Sequence, residues 1–198
     1  MASPLKFHFV KGANVRLEKE GRLARRYESF CKGVAFSHRP VGVGEVVRLR
    51  IIEQQRMNWV SGSLHLGLTT EDPEKLAGGV PSRLSPEPSS TDGTWAQSVP
   101  ETFCRRGAVI DLKVKADGSV NYGVEGKSKG IFLRGVDVSR PLWLAIDLYG
   151  KSTAVEFVGE ECAFGLDSEL VLDGRKRNES WTLLVCGSLP KDGTKKGG

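Results

Sequence analysis

The sequence predicts an all-β domain: an antiparallel β-sandwich followed by a poorly structured C-terminal tail. Three observations carry that prediction. Apolar residues alternate with polar ones over short segments and do not recur at helical spacing. Glycine is frequent, 24 of 198 residues, with no collagen-like period. No capped amphipathic run of about a dozen residues marks a helix.

The elements follow in chain order. Phe7, Phe9 and Val10 open a run that leads into Asn14-Val15-Arg16-Leu17. Arg48-Leu49-Arg50-Ile51 and Ser63-Leu64-His65-Leu66-Gly67-Leu68 keep the period of two, so each strand should have one wet and one dry side. The same pattern returns at Ile110 to Val114, Val120 to Val124 and Val155 to Val158. Asp117-Gly118 between two of these runs is a hairpin signal. Leu142-Trp143-Leu144-Ala145-Ile146 is continuous apolar sequence after Pro141, and predicts a strand buried on both faces. About ten short strands with tight turns make a sandwich.

Two regions break the pattern. Glu71 to Leu76 predicts one helical turn, with Asp72 as its cap and Pro73 at the first helical position. The Gly-, Pro- and Ser-rich stretch from Ala77 to Gly93 reads as a long connection without structure of its own. Beyond Gly159 the alternation decays. Only Trp181 to Cys186 suggests a further strand, and Lys191 to Gly198 reads as a polar tail.

Composition excludes several classes. With 39% hydrophobic and 27% charged residues, the chain is too apolar to be wholly disordered. The longest apolar stretch is interrupted by Asp147 and falls far short of the ~20 residues of a membrane span. The N-terminus has no apolar leader, and Ala2 stands where myristoylation requires glycine. These features predict a soluble, cytoplasmic chain.

The net charge of +5, from 29 basic and 24 acidic residues, allows an acidic partner without demanding one. Arg22 to Lys32 and Arg175 to Arg177 are read as solvated surface ahead of phosphate-binding surface. A basic face for RNA or anionic phospholipid is the alternative, and its signature is affinity that falls with salt. The four cysteines, Cys31, Cys104, Cys162 and Cys186, form no CxxC pair. They predict reduced thiols, no metal site and no cofactor. No residue is singled out as catalytic. Asn178-Glu179-Ser180 carries no weight without a secretory signal.

A set of short motifs recurs in order: Phe7-His8, Gly12-Ala13-Asn14, Gly21 to Arg26, Phe36-Ser37-His38-Arg39-Pro40, Gly44-Glu45, Trp59, Gly62 and Gly67-Leu68-Thr69. Asp72-Pro73, Gly93-Thr94-Trp95, Pro141-Leu142-Trp143 and Asp147-Leu148-Tyr149-Gly150 complete it. Together they resemble the Neuralized homology repeat over residues 5–158, with residues 159–198 as an extension. The resemblance implies a SPRY-like sandwich that binds peptide segments of other proteins. It implies recruitment of substrates, Notch ligands and Bearded-type inhibitors among them, through short Asn-containing peptides. In that family a separate RING or SOCS box connects the substrate to ubiquitination, in the cytoplasm and at membranes or endosomes.

The sequence departs from the family pattern in two places. Only Cys162 and Cys186 lie beyond the repeat, with Gly165 and Leu183 where CxxC partners would stand, so a RING is not expected. The chain reads as a noncatalytic substrate-binding unit, a truncated form of a RING ligase being the alternative. Trp59-Val60-Ser61-Gly62 also carries one residue more than the family's Trp-x-Gly spacing.

Five residues are candidates for the peptide site: Arg39, Trp59, Gly62, Trp95 and Tyr149. Each has a plainer reading beside it. Arg39 is either an exposed, unpaired cation or a donor to an Asn side chain or carboxylate of a bound peptide. Trp59 packs a loop or touches ligand, and Trp95 anchors the Pro/Ser loop or lines a groove. Gly62 serves backbone geometry or lets a peptide main chain approach. Tyr149 satisfies its hydroxyl internally or offers it at the sandwich edge. Trp143 is read as core, and the three histidines as structural or exposed.

Overall fold

The computed structural model describes residues 3–54, 62–84 and 93–159. Eleven strands form there, paired antiparallel throughout: β1 (Val15–Glu18), β2 (Leu23–Arg26), β3 (Val34–Phe36), β4 (Val46–Gln54), β5 (His65–Thr69), β6 (Thr94–Ser98), β7 (Val109–Val114), β8 (Val120–Val124), β9 (Lys127–Leu133), β10 (Trp143–Asp147) and β11 (Ser152–Phe157). One sheet has seven strands in the order β1-β2-β11-β4-β7-β8-β9, the other four in the order β3-β10-β5-β6. This is the antiparallel sandwich that the alternation predicts.

The core lies between the sheets. Leu49 and Ile51 of β4, Ile110 and Leu112 of β7 and Val155 of β11 meet Leu66 and Leu68 of β5 with Leu144 and Ile146 of β10. Each of these side chains is worth about 1.5–3 kcal/mol when fully buried. Asp117-Gly118 closes the β7–β8 hairpin as expected, with Lys115 N–H donating to Ser119 O at 2.8 Å. A single 3-10 turn spans Pro73–Leu76, and Glu74 N–H donates to the Asp72 side chain at 3.0 Å.

Two expectations need correction. The β5 and β11 sequences were expected to keep one wet side, yet every residue of both strands is buried. The segment after Pro73 covers the outer face of the smaller sheet. Leu84, with Leu76 and Val80 beside it, packs on Val34, Phe36, Ala96 and Ala145. So the first half of the Gly- and Pro-rich connection, to residue 84, forms a third layer. Its remainder, residues 85–92, lies outside the described residues, as does the predicted strand Trp181 to Cys186.

The basic run Arg22 to Lys32 is the second correction. Its first residues form β2, an inner strand of the larger sheet. Arg25 pairs with Glu18 on β1 at 2.8 Å and with Glu53 on β4. Arg26 is buried to 3% exposure. A charge run stays wet only when no carboxylate or carbonyl is arranged to receive it, and here both are. Among the described residues no helix is long and apolar enough to cross a membrane.

Candidate functional site

Strand register divides the smaller sheet into two ends. His65, Asp147 and Val34 align at one end, and Thr69, Thr94 and Trp143 at the other. The first end carries the more unusual chemistry. Asp147 closes a strand buried on both faces and is itself 0% exposed. A carboxylate in that position needs partners, because burying it without them is costly. Leu84 N–H donates to its Oδ2 at 3.1 Å, and His65 Nδ1 lies 3.6 Å from the same oxygen. Asp147 Oδ1 and His65 Nδ1 have no hydrogen-bond partner among the described residues.

Arg26 supplies the opposite charge. Its Nε donates to Leu148 O at 2.5 Å and its Nη2 to Gly150 O at 2.8 Å. Nη1 reaches Glu28 O and Ser29 O at 2.8 and 3.0 Å. Burial pulls the Arg26 pKa below its ordinary value, and the nearby Asp147 charge works against that fall. The guanidinium thereby stitches β2 and the following loop to the end of β10.

The chain then turns sharply. Tyr149 N–H donates to Asp147 O at 2.8 Å, and Gly150 takes a φ of +60°. A Cβ on Gly150 would fall 2.2 Å from Gly62 O, so the two glycine backbones touch directly. Gly62 itself sits at φ +126°, a conformation left to glycine, and a Cβ there would fall 2.8 Å from the Tyr149 ring. Gly62 is the seat on which the ring rests.

The other surroundings of Tyr149 are aromatic and cationic. Its ring stacks on His65 with centroids 5.0 Å apart and planes at 18°. Phe30 meets it edge-on at 6.5 Å, and Arg83 holds its guanidinium 5.1 Å from the ring centre. The Cys31 thiol, hydrogen-bonded to Arg83, and the Tyr149 oxygen raise the Arg83 pKa above its ordinary value. Tyr149, Phe30 and Cys31 are half-buried and Arg83 is exposed. This end is a rigid aromatic platform with an exposed cation over it. It suits stacking and hydrogen-bond donation.

The sequence candidates divide accordingly. Gly62 and Tyr149 are brought into contact. Arg39 follows β3 from its other end, beyond Phe36, and so lies at the opposite end of the sheet. It is not the unpaired cation of its plainer reading. Its fork engages Glu45 at 2.7 and 3.1 Å and Ser3 O at 2.7 and 2.9 Å. The Arg39 hydrogen bond, with the Gly42 N–H adding to it, holds the Glu45 carboxyl below the usual carboxylate range. Trp95 lies opposite Leu68 and is core, at 5% exposure. Trp59 lies outside the described residues.

Sequence reasoning did not single out Arg26, Phe30, His65, Arg83 or Asp147 for this site. One signal was available: Asp147 interrupts an apolar strand, and a buried carboxylate implies a buried partner. Of the thiols, Cys104 is buried, and burial pushes its pKa up, which keeps it an unreactive thiol.

Residues 7–159 match the family model described as Neuralized. The chain belongs to the Neuralized family. It is 38% identical over 155 residues to protein neuralized of Drosophila melanogaster, covering 78% of this chain and 20% of that one. It is 38% identical over 161 residues to the E3 ubiquitin-protein ligase NEURL1B of Homo sapiens, covering 80% of this chain and 28% of the ligase. The chain thus spans about a fifth of the length of the Drosophila relatives it matches. The crystal structure of the Drosophila melanogaster neuralized NHR1 domain superposes with a TM-score of 0.75 at 37% identity, over 80% of this chain and 99% of that domain. The TRIM65 PSpry domain, at 14% identity and a TM-score of 0.51 over 80% of this chain and 90% of that domain, shares the fold alone.

Proposed function

We propose that this Neuralized domain is a noncatalytic recognition module that takes a short Asn-containing peptide of a substrate protein for ubiquitin-dependent control. Notch ligands and their regulators are the first substrates to test, and they would bring the domain to the cytoplasmic side of membranes or endosomes. Family membership supports a protein-binding role, and relatives named as ubiquitin-protein ligases tie the family to ubiquitin transfer.

The observation that carries the reading is the half-buried Tyr149 ring with the Arg83 guanidinium 5.1 Å from its centre. An Asn side chain offers a carbonyl to donors and an NH2 to acceptors. Arg83 can donate to the first, and the Tyr149 oxygen can accept from the second. Gly62 contributes by seating the ring. Asp147, Arg26 and His65 hold the platform from beneath.

The alternative of a basic face for RNA or anionic phospholipid loses support. Of the run that suggested it, Arg25 is taken up in ion pairs with Glu18 and Glu53, and Arg26 is buried.

Calorimetric titration with Asn-containing peptides from the intracellular segments of Notch ligands tests the proposal. Saturable binding is expected, lost when the Asn is replaced by Ala and about tenfold weaker for Arg83→Ala. No heat at high-micromolar peptide, with the protein folded, would overturn it. Incubated with E1, E2 and ATP, the chain is expected to form no ubiquitin conjugates. Conjugates abolished by Cys162→Ala or Cys186→Ala would make it an enzyme.

A further inference from the structure

A second concave surface adjoins the Tyr149 platform without including it. Residues 9–13 form one wall and residues 77–82 the other, with Lys32 between them, around a cavity of about 540 Å³. That volume lies within the usual range for ligand pockets, ~300–1,000 Å³.

The walls are fixed by the backbone. The amino-terminal segment runs along the outer edge of β3, with His8 N–H donating to Phe36 O at 2.8 Å and Gly12 N–H to Val34 O at 2.7 Å. Between these two bonds Val10 is buried, Phe9 is exposed and Lys11 is half-buried. Asn14 N–H donates to Lys32 O at 3.1 Å, and Lys32 N–H to Ser82 O at 2.6 Å. The last bond ties both walls to the same residue. Lys32 is held at φ +60°, a conformation a lysine adopts only when its surroundings impose it.

Phe9 is the most exposed of the large apolar side chains among the described residues, at 72%. It is nonetheless held in place. Its ring stacks on His8 with centroids 4.4 Å apart, and buried His8 accepts the Val10 N–H on Nδ1 at 3.0 Å. An aromatic ring that is both exposed and immobilised is typical of a binding anchor. Opposite it, Gly78 and Gly79 present bare backbone, with open space where a Cβ would stand. Val80, Val10, Ala13 and Ala77 add apolar surface. The charge is one-sided: Lys11 and Lys32 line the groove, and none of its described lining residues is acidic.

We propose that this groove docks an extended acidic segment of a partner protein, one apolar side chain resting between Phe9 and Val80 and flanking carboxylates meeting Lys11 and Lys32. The bare backbone at Gly78 and Gly79 lets the segment's main chain approach closely. The site stands whether or not the Tyr149 platform takes an Asn-containing peptide.

Fluorescence anisotropy with the full chain tests it, using a fluorescein-labelled peptide of Asp and Glu residues around a central Leu pair. Its Gln/Asn and Lys counterparts and a labelled RNA oligonucleotide serve as comparisons. The acidic peptide is expected to bind at least about fivefold more tightly than the Gln/Asn version, and the Lys version not at all. Lys11→Glu with Lys32→Glu should weaken binding by about tenfold or more, and Phe9→Ser by about fivefold. These side chains project from the surface, so an unchanged melting temperature is expected and keeps the result interpretable. Arg83→Ala should leave this binding intact, which separates the groove from the platform. Acidic-peptide binding that is absent, that ignores all three substitutions, or that is surpassed by the RNA would overturn the proposal.

Discussion

The two ends of the four-stranded sheet each hold an arginine, and the two arginines do opposite things. At the Trp143 end, Arg39 grips a carboxylate, Glu45, in a half-buried pair across a short turn. The polar side chains around it are matched: Ser37 Oγ donates to Arg39 O and accepts from Leu144 N–H, and Thr69 and Thr94 share a hydrogen bond at 3.0 Å. At the Tyr149 end, Arg26 is more deeply buried and spends its donors on backbone carbonyls. The nearby carboxylate, Asp147, has one oxygen without a hydrogen-bond partner among the described residues. One end is stapled by a matched ion pair, and the other is braced through backbone carbonyls beneath the Tyr149 ring.

The largest effect is expected from removing the brace. Arg26→Met leaves four carbonyls without their donor and Asp147 without its nearby cation. It should cost about 3–5 kcal/mol in urea unfolding. A loss below about 1 kcal/mol would mean that the braced end does not depend on this residue.

Gly150→Ala comes next, at roughly 2–3 kcal/mol, because the new methyl would collide with the Gly62 backbone at a positive φ. The shift should be read as a lower unfolding midpoint. An unchanged midpoint would dissolve the contact on which Tyr149 is seated.

The stapled end should respond less, and with a pH signature. Glu45→Gln is expected to cost about 1 kcal/mol at neutral pH. The folded pKa of Glu45 lies below its unfolded value, near ~4.3. The stabilisation is therefore fully present above that pH and is lost as pH falls through the folded value. The gap between wild type and variant should narrow in acid, by unfolding curves from pH 7 down to pH 3. A gap that widens would contradict the pairing.

Arg83→Ala should be smallest of all in stability, within about 0.5 kcal/mol, since the side chain is exposed. Its effect belongs to binding. A large stability change would make it part of the brace.

Much of this contrast could be read in the residues, and the unread part has a physical cause. Alternation locates β4, β7 and β8, because a strand with one wetter face prints its period directly, and it also finds β11, although all six residues of that strand are buried. It misleads at β5, where a covering segment dries the second face and the polar residues His65 and Thr69 become interior. No local pattern announces that cover: Leu84 is one apolar residue in a Pro- and Ser-rich stretch. The site was half legible. Gly62 and Tyr149 stand out as residue types, yet their contact depends on two loops meeting across about ninety residues of chain, which spacing cannot reveal. Arg26 and Arg39 look alike in sequence, and their partners, backbone carbonyls in one case and Glu45 in the other, exist only after folding.

The strand order has a further meaning for how the chain comes into being. β10 and β11 are the last strands of the described domain, yet each lies in the interior of its sheet: β10 between β3 and β5, β11 between β2 and β4. A nascent chain that has emerged only to residue 140 therefore holds both sheets split, with four strand edges open. Local hairpins such as β7–β8 can form early, but the smaller sheet waits for β10, to residue 147, and the larger for β11, to residue 157. Closure of both sheets is thus late in synthesis and rests on long-range pairing, of the kind that folds in milliseconds to seconds. Until that moment the open edges are the chain's main aggregation hazard, and the natural targets of a chaperone.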